Sequence, residues 1–535
     1  MDTILILDYG SQYTQLIGRR VRELGVYAEI LPGDTALPIA GREDTTKNHY
    51  VGIILSGSPY SAYDESAPKP HPSLYQSTLP ILGICYGIQR MTVDSGGEVA
   101  RGPEREYGKK PVHILEHKVP EASAGQRSAC TDALFAGIPS EFSSWMSHGD
   151  SIVLGGNGWR VIAESEGGIP AALAHETLPR WGVQFHPEVS HCEYGLDILR
   201  NFVLGICKAT PSWSMETYLA EVSHEIRARV GQNPVLLLIS GGVDSTVTGA
   251  LLLRILDPEK VYLLYIDTGL MRQGESEEVM ESLKRLGARH LFRVDAEGRF
   301  LSALKGKADP EDKRRTIGDL FVQIQEEEVA RLGIPDAILA QGTLYTDLIE
   351  SGKGVGTKAQ TIKSHHNVKS PLIAKKREAG LVIEPLDRLY KDEVRNLGRL
   401  LGLPESIVSR HPFPGPGLGV RILGEVTKEK CDILRKADKV YIEELHSRGL
   451  YNKIWQAFCV LLPVRAVGVA GDERTYGYVV ALRAVVSEDG MTASVYPFTA
   501  EDLVGISSAI TNRNPSVGRV VYDISSKPPA TIEWE

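Results

Sequence analysis

Pro80-Ile81-Leu82-Gly83-Ile84-Cys85-Tyr86-Gly87 is the stretch that decides the fold of the first part of the chain. Its short apolar run reads as a strand buried on both faces, and the cysteine between two glycines reads as a sharp turn into a helix. Such a turn presses neighbouring backbone together, where a Cβ would clash. Working outward, the same grammar repeats. Ile4 to Leu7 is a strand, Tyr13 to Leu24 a helix closed by Gly25, and Val51 to Leu55 a strand entering Ser56-Gly57-Ser58-Pro59. Trp181 to Phe185 reads as a late strand and Leu196 to Val203 as a closing helix. Buried strands alternating with amphipathic helices predict an α/β domain over residues 1–206, with a mostly parallel sheet covered on both faces.

Lys208 to Ser214 reads as a linker, after which a second α/β pattern begins. Its strands are Val235 to Ile239, Val261 to Ile266 and Ala337 to Ala340, within a domain expected over 207–409. The polar run from Thr343 to Lys376 lacks clean periodicity and suggests a loop or lid. A smaller α+β domain is expected over 410–535, opening on the proline-rich segment Arg410 to Leu418. Its strands include Tyr478 to Val486, whose alternation suggests a half-exposed sheet face, and Arg519 to Tyr522.

The chain has 535 residues, 42% apolar and 24% charged, too many for one core. A net charge of −9 argues against a nonspecific nucleic-acid binder. Six cysteines at 85, 130, 192, 207, 431 and 459 form no CxxC pair and no regular spacing, so neither a zinc knuckle nor a disulfide framework is expected. The opening apolar run is flanked by acids, unlike a signal peptide, and no apolar stretch approaches the roughly 20 residues that span a bilayer. The expectation is a cytoplasmic protein without membrane association.

A thiol at the end of a sheet and the start of a helix is well placed for chemistry. Helix-end N–H groups favour a thiolate and stabilise an oxyanion. By itself the pentapeptide fits a buried structural cysteine equally well. Gln184-Phe185-His186-Pro187-Glu188 adds a histidine and a glutamate two residues apart on an extended segment, so both point to one side. Glu188 then orients His186, and His186 takes the Cys85 proton. These motifs, with the Ser56 to Pro59 turn, resemble the class I glutamine amidotransferases. The resemblance implies that Cys85 attacks the glutamine side-chain amide, releasing ammonia from a glutamyl thioester. It further implies oxyanion donors at Gly57 and Tyr86, and a glutamine-site residue at Gln89. Related domains carry a second glycine where this chain has Ser58, which fits if its φ is negative. Trp145 to Asp150 matches a segment near the substrate pocket, with no proton-transfer role assigned to His148.

Ser240-Gly241-Gly242-Val243-Asp244-Ser245 follows the Val235 to Ile239 strand and opens a helix over Ser245 to Leu256. Glycines and hydroxyls at such a junction make an anion cradle, and the Walker lysine spacing is absent. An ordinary glycine-rich turn is the plainer alternative. The string resembles the signature of the N-type ATP pyrophosphatases, adenine-nucleotide alpha-hydrolase-like domains that cleave ATP between its α- and β-phosphates. That likeness implies nucleotide contacts at Ser240, Gly241, Gly242, Asp244, Ser245, Thr246, Asp267, Gln341, Gly342 and Thr343. It also implies Mg²⁺ at Asp244, and a reach toward the transferring phosphorus by Lys363.

Arg410 to Leu418, Gly471 to Gly477 and Tyr522 to Glu535 resemble the glutamine-hydrolysing GMP synthase family across the whole chain. The resemblance implies ATP-driven adenylation of the O2 of xanthosine 5'-monophosphate, displacement of AMP by ammonia, and a homodimer through the C-terminal domain. Substrate contacts implied are Lys363, Pro416, Gly417, Arg519, Lys527 and Glu533. Another glutamine-fed ATP pyrophosphatase, such as an NAD-forming synthetase, is the enzymatic alternative. A regulatory binding protein with degenerate heads is the non-enzymatic one.

Overall fold

The computed structural model describes residues 1–37, 49–115, 133–334, 336–350, 376–470, 473–487 and 492–535. Lys363 and most of the expected lid, residues 351–375, therefore lie outside the described residues. The chain divides into two compact units. The first is Met1–Tyr218 with Thr346–Lys363, and the second is Leu219–Tyr345 with Ser364–Glu535.

The first unit is built on a nine-stranded sheet in the order β2-β1-β3-β4-β9-β8-β7-β5-β6. Strands β1 (Asp2–Asp8), β2 (Tyr27–Pro32), β3 (His49–Leu55), β4 (Ile81–Ile84) and β9 (Arg180–Val183) run parallel. Ile4 to Leu7, Ile53 to Leu55 and Ile81 to Ile84 are apolar runs, as two-sided burial requires, while the edge strand β2 carries Glu29; Ile4, Ile54, Leu82 and Val183 are fully buried. Helix α1 (Thr14–Glu23) is closed by Gly25, whose φ of +77° lets its N–H bond the Arg22 carbonyl at 2.9 Å. Helix α2 (Tyr86–Asp94) follows β4, and α3 (Gly195–Arg200) closes the unit's core.

The expectation of a mostly parallel sheet needs correction on its far half. Strands β5 (Glu98–Ile114), β6 (Glu141–Leu154), β7 (Trp159–Ser165) and β8 (Pro170–His175) are antiparallel. Along β6, buried Phe142, Ser144, Met146 and His148 alternate with less buried neighbours, the pattern of a sheet covered on one face. That segment mixes polar with apolar residues at period two, so it carries no continuous apolar run to mark it as a strand.

Helix α4 (Met215–Val230) leads into the second unit, which holds two sheets. One is parallel, in the order β12-β11-β10-β13-β14, formed by β10 (Val235–Ile239), β11 (Val261–Asp267), β12 (His290–Asp295), β13 (Ile338–Ala340) and β14 (Val382–Ile383). Helix α5 (Val243–Ile255) leaves the end of β10 with Val247, Leu251 and Leu252 fully buried. The other sheet comprises β15 (Gln456–Ala470), β16 (Glu473–Val486), β17 (Ser494–Val495) and β18 (Val517–Tyr522), with β16 pairing all three others. Helices Lys428–Ser447 and Ala500–Arg513 pack Leu434, Tyr441, Ile506 and Ile510 into the same apolar core as Leu236, Leu339, Leu461 and Leu482.

Because β16 is central, Val479 to Val485 is buried on both faces rather than half-exposed. Even Arg483 is fully buried. Its guanidinium donates to the carbonyls of Ser525, Thr531 and Ile532 and pairs with Asp523. Among the described residues, no helix is long and apolar enough to cross a membrane.

Candidate functional site

Cys85 stands between β4 and α2 with φ 53° and ψ −107°. It is one of two non-glycine residues with positive φ among those described, the other being Lys208. A conformation of this kind costs about 1–3 kcal/mol and persists only where packing enforces it. The flanking glycines supply that packing. A Cβ on Gly83 would fall 2.5 Å from the Ile88 nitrogen, and one on Gly87 would fall 2.6 Å from the Leu55 carbonyl oxygen. The Cys85 N–H is anchored to the Val183 carbonyl at 2.8 Å. Tyr86 begins α2, where an N–H has no acceptor within the helix.

His186 follows β9, and its N–H is held by the Trp145 carbonyl at 3.0 Å. Its Nδ1 lies 2.7 Å from Glu188 Oε1, with both residues buried. An ionised carboxylate only accepts, so Nδ1 carries the proton and Nε2 is left to act as base. Burial opposes a charge on His186, yet the Glu188 carboxylate and the Cys85 sulfur together hold its pKa well above the ordinary histidine value. The balance favours an imidazolium beside the Cys85 sulfur.

The turn after β3 is zipped to the end of β1. Ser56 Oγ accepts from the Tyr9 N–H at 2.9 Å, and Ser58 Oγ donates to the Tyr9 carbonyl at 2.8 Å. Ser58 is absent from the positive-φ residues, so serine fits where related domains carry glycine. Gly57 lies against the site, since a Cβ there would come 3.4 Å from His186 Cε1. Gln89 Nε2 donates to the Asp150 carbonyl at 2.9 Å and to Gln184 Oε1 at 3.2 Å. Gln184 Nε2 in turn lies 3.8 Å from Cys85 Sγ. The sequence reading quoted Gln184 and Asp150 within their motifs but gave neither a role. Their contacts join strands far apart in the chain, and no spacing encodes them.

In the second unit, the candidate nucleotide residues gather at the carboxyl ends of adjacent parallel strands. Ser240 follows β10, Asp267 ends β11 and Gln341 follows β13. Open α/β sheets bind ligands at this edge. Gly241 has φ +84°, and Ser240 Oγ lies 3.1 Å from Ser245 Oγ, closing the loop on itself. Gly342 packs against it, where a Cβ would meet the Ser245 nitrogen at 3.3 Å. The buried Thr246 hydroxyl donates to the Gly242 carbonyl at 2.9 Å and ties the first turn of the helix back to the loop. Asp267 accepts from Arg293 Nη2 at 2.6 Å and from the Gly269 N–H at 3.1 Å. Gln341 accepts from Arg377 at 3.3 Å, and Thr343 donates to Glu384 at 2.8 Å.

Lys391 was missed by the sequence reading. Its Nζ donates to both carboxylate oxygens of Asp244, at 2.7 and 2.6 Å, from 147 residues away. Arg410 reaches the Gly241 carbonyl at 3.3 Å while pairing with Glu275 and Glu278. Gly417, at φ +61°, sits where a Cβ would come 2.4 Å from the Leu270 carbonyl, so Pro416 and Gly417 dock just beyond the end of β11. Glu533 accepts from Arg421 at 2.8 and 3.1 Å and from Gln456 at 2.7 Å. Arg421 is itself buried between the rings of Phe413 and Phe458. Arg519 is exposed on β18, and Lys527 pairs through its backbone with Ala493.

A cysteine elbow, a buried histidine–glutamate pair and a mixed sheet with a parallel half make the first unit a class I glutamine amidotransferase in form. Residues 5–206 match the family described as glutamine amidotransferase class-I, and residues 443–534 match the GMP synthase C terminal domain. Over 536 residues the chain is 48% identical to a glutamine-hydrolysing GMP synthase of Bdellovibrio bacteriovorus, covering 100% of both chains. Similar enzymes from Carboxydothermus hydrogenoformans (48% over 532 residues) and Aquifex aeolicus (47% over 532 residues) are each matched over 99% of both chains. The chain belongs to the glutamine-hydrolysing GMP synthase family.

Proposed function

We propose that the protein converts xanthosine 5'-monophosphate to guanosine 5'-monophosphate as a carbon–nitrogen ligase, with glutamine as nitrogen donor and ATP split to AMP and pyrophosphate. The observation that carries the reading is Cys85 on its enforced elbow with His186 and Glu188 behind it. Cys85 attacks the glutamine amide carbon, and N–H groups of Gly57 and Tyr86 hold the oxyanion. The His186 proton passes to the leaving ammonia. Water, activated by the same imidazole, then hydrolyses the thioester. Gln89 positions the substrate amide.

In the second unit, Ser240, Gly241, Gly242, Asp244, Ser245 and Thr246 form the phosphate cradle, with first-turn N–H groups of α5 as donors. Asp267, Gln341, Gly342 and Thr343 border the nucleotide. A Mg²⁺ ion suits Asp244, whose carboxylate already faces a cation in Lys391 and whose other ligands would be phosphate oxygens. It would neutralise charge on the departing pyrophosphate. The purine O2 is a poor leaving group until it carries AMP, and ammonia then displaces AMP at C2. Pro416, Gly417, Lys363, Arg519, Lys527 and Glu533 are the substrate-side residues. The docking of 416–417 at the strand-end edge supports the first two, whereas the Glu533 carboxylate would act through Arg421.

The division into 1–206, 207–409 and 410–535 and the homodimer belong to the same reading, as does a cytoplasmic location. Support for the dimer is an exposed apolar patch on the β15–β16 pair, where Val467 opposes Tyr476 and Val469 lies beyond. The test combines protein, xanthosine monophosphate, ATP and Mg²⁺ with either glutamine or ammonium. Wild type should give guanosine monophosphate, AMP and pyrophosphate from both donors. Cys85→Ala should lose the glutamine-driven reaction by about a thousandfold or more and keep the ammonium-driven one. ADP as product would refute the proposal.

A further inference from the structure

Beside the nucleophile lies a second buried histidine–carboxylate pair that the reaction outlined above does not use. His148 on β6 and Glu106 on β5 oppose each other across the antiparallel ladder, and both are buried. His148 Nδ1 lies 2.9 Å from the Asp150 carbonyl oxygen, the same oxygen that accepts from Gln89 Nε2 at 2.9 Å. A carbonyl only accepts, so Nδ1 carries a proton. Across the ring, Nε2 stands 3.4 Å from Glu106 Oε2. Neither atom has a hydrogen-bond partner among the described residues, each other included, while Glu106 Oε1 is satisfied by Ser165 Oγ at 2.9 Å. With a neutral ring and an ionised carboxylate, two lone pairs would face each other away from water, an arrangement that buried polar groups do not sustain. A proton between the two atoms removes the conflict.

We propose that Glu106 is a neutral carboxylic acid donating to His148 Nε2, and that the Glu106–His148–Asp150 chain is a positioning device that sets Gln89 at the glutamine end of the first site. The inference rests on the glutaminase reading of Cys85. Burial acts on both partners in the required sense, raising the Glu106 carboxyl and lowering His148 to about 4. Of the charged groups acting on Glu106, Lys110 on β5 favours the carboxylate and Glu166, after β7, opposes it. His148 feels His186, whose charge keeps it neutral, and Asp150, which pulls the other way. The chain runs on through Gln89 to Gln184 and Cys85 Sγ, so a turn of the Asp150 carbonyl is felt beside the nucleophile.

Glutaminase kinetics of the full chain test this with Glu106→Gln and Glu106→Leu. The glutamine amide supplies a permanent N–H to Nε2, so Glu106→Gln should keep KM for glutamine and kcat within about twofold. Leucine leaves Nε2 without a partner and should raise KM for glutamine about tenfold while kcat changes far less. Ammonium-driven amination, which bypasses this site, should stay at the wild-type level in both and so reports folding. A normal KM in Glu106→Leu, or equal damage in both variants, overturns the inference. Nitrogen-15 NMR of the wild-type histidines decides the proton without any variant. His148 should show a neutral ring protonated on Nδ1 at pH 7, and an imidazolium there would also overturn it. Failure of the underlying reading looks different: wild type would then hydrolyse no glutamine, or Cys85→Ala would hydrolyse it normally.

Discussion

At the scale of single residues, the first site works through a balance of opposing electrostatic effects. Burial disfavours an imidazolium at His186, while the carboxylate of Glu188 and the sulfur of Cys85 outweigh it and raise the pKa well above the ordinary value. A raised pKa means the imidazolium survives upward in pH until His186 loses its proton. Glu188→Gln keeps the hydrogen bond and removes the charge. The alkaline limb of the glutaminase pH profile should therefore move to lower pH, and kcat/KM should fall by about 10²-fold or more. An unshifted alkaline limb would show that Glu188 does not set the basicity of His186. The proposed roles of Cys85, His186 and Glu188 rest on short motifs whose chemistry is local. Lys391, Arg421 and Glu106 were not legible in the sequence, because each acquires its meaning from a partner on another element.

Elements fix these residues by contact, and two positions measure how firmly. Gly87 lets α2 lie directly on the end of β3, its missing Cβ being only 2.6 Å from the Leu55 carbonyl. Gly87→Ala must push the helix away, so thermal unfolding of the first unit should shift by about 1–3 kcal/mol and glutaminase activity should drop further than stability does. A variant with wild-type melting and turnover would mean the elbow tolerates displacement. In the second unit, His411 is buried and holds the Arg410–Leu418 segment to the start of β15. Its Nδ1 accepts from the Ala457 N–H at 3.1 Å and its Nε2 donates to the Tyr451 carbonyl at 3.1 Å. Burial lowers its pKa from 6.5 to about 4. The unfolded chain thus binds this proton between those values and the folded one does not. Stability is fully present above about pH 6.5 and is lost as pH falls toward 4, by about 3 kcal/mol for this group. Urea midpoints across that range should decline in wild type with a steeper slope than in His411→Asn. Matching slopes would remove His411 from the account.

On the scale of the whole molecule, each compact unit carries one of the two proposed sites, so the chain has two candidate centres rather than one. The second unit also holds the exposed face proposed to pair two copies. Val469 is 77% exposed and Tyr476 63%, more apolar surface than a strand pair leaves to water without reason. Placing aspartate at both positions should convert a dimer to monomers in light scattering, because like charges would be brought together across a two-fold axis. Glutamine hydrolysis by the first unit should persist in those monomers. A mass unchanged by the double substitution would place the dimer interface elsewhere or exclude it.

By itself the sequence determined the two parallel-sheet patterns, the cysteine elbow and the Ser240–Ser245 cradle, since apolar runs and glycine turns are local consequences of burial and backbone sterics. It also carried the family, through long strings at the C-terminus. Only the tertiary structure decided that four strands of the first sheet run antiparallel, because their one-sided burial leaves no continuous apolar signature. Likewise it alone turned Val479 to Val485 into a strand buried on both faces, since β16 gains neighbours from segments on either side in sequence. The pairings Lys391 with Asp244, Arg421 with Glu533 and Glu106 with His148 belong to the same class. A charge or a proton is placed by what surrounds it in space, and residues far apart in the chain share no periodicity that could announce the meeting.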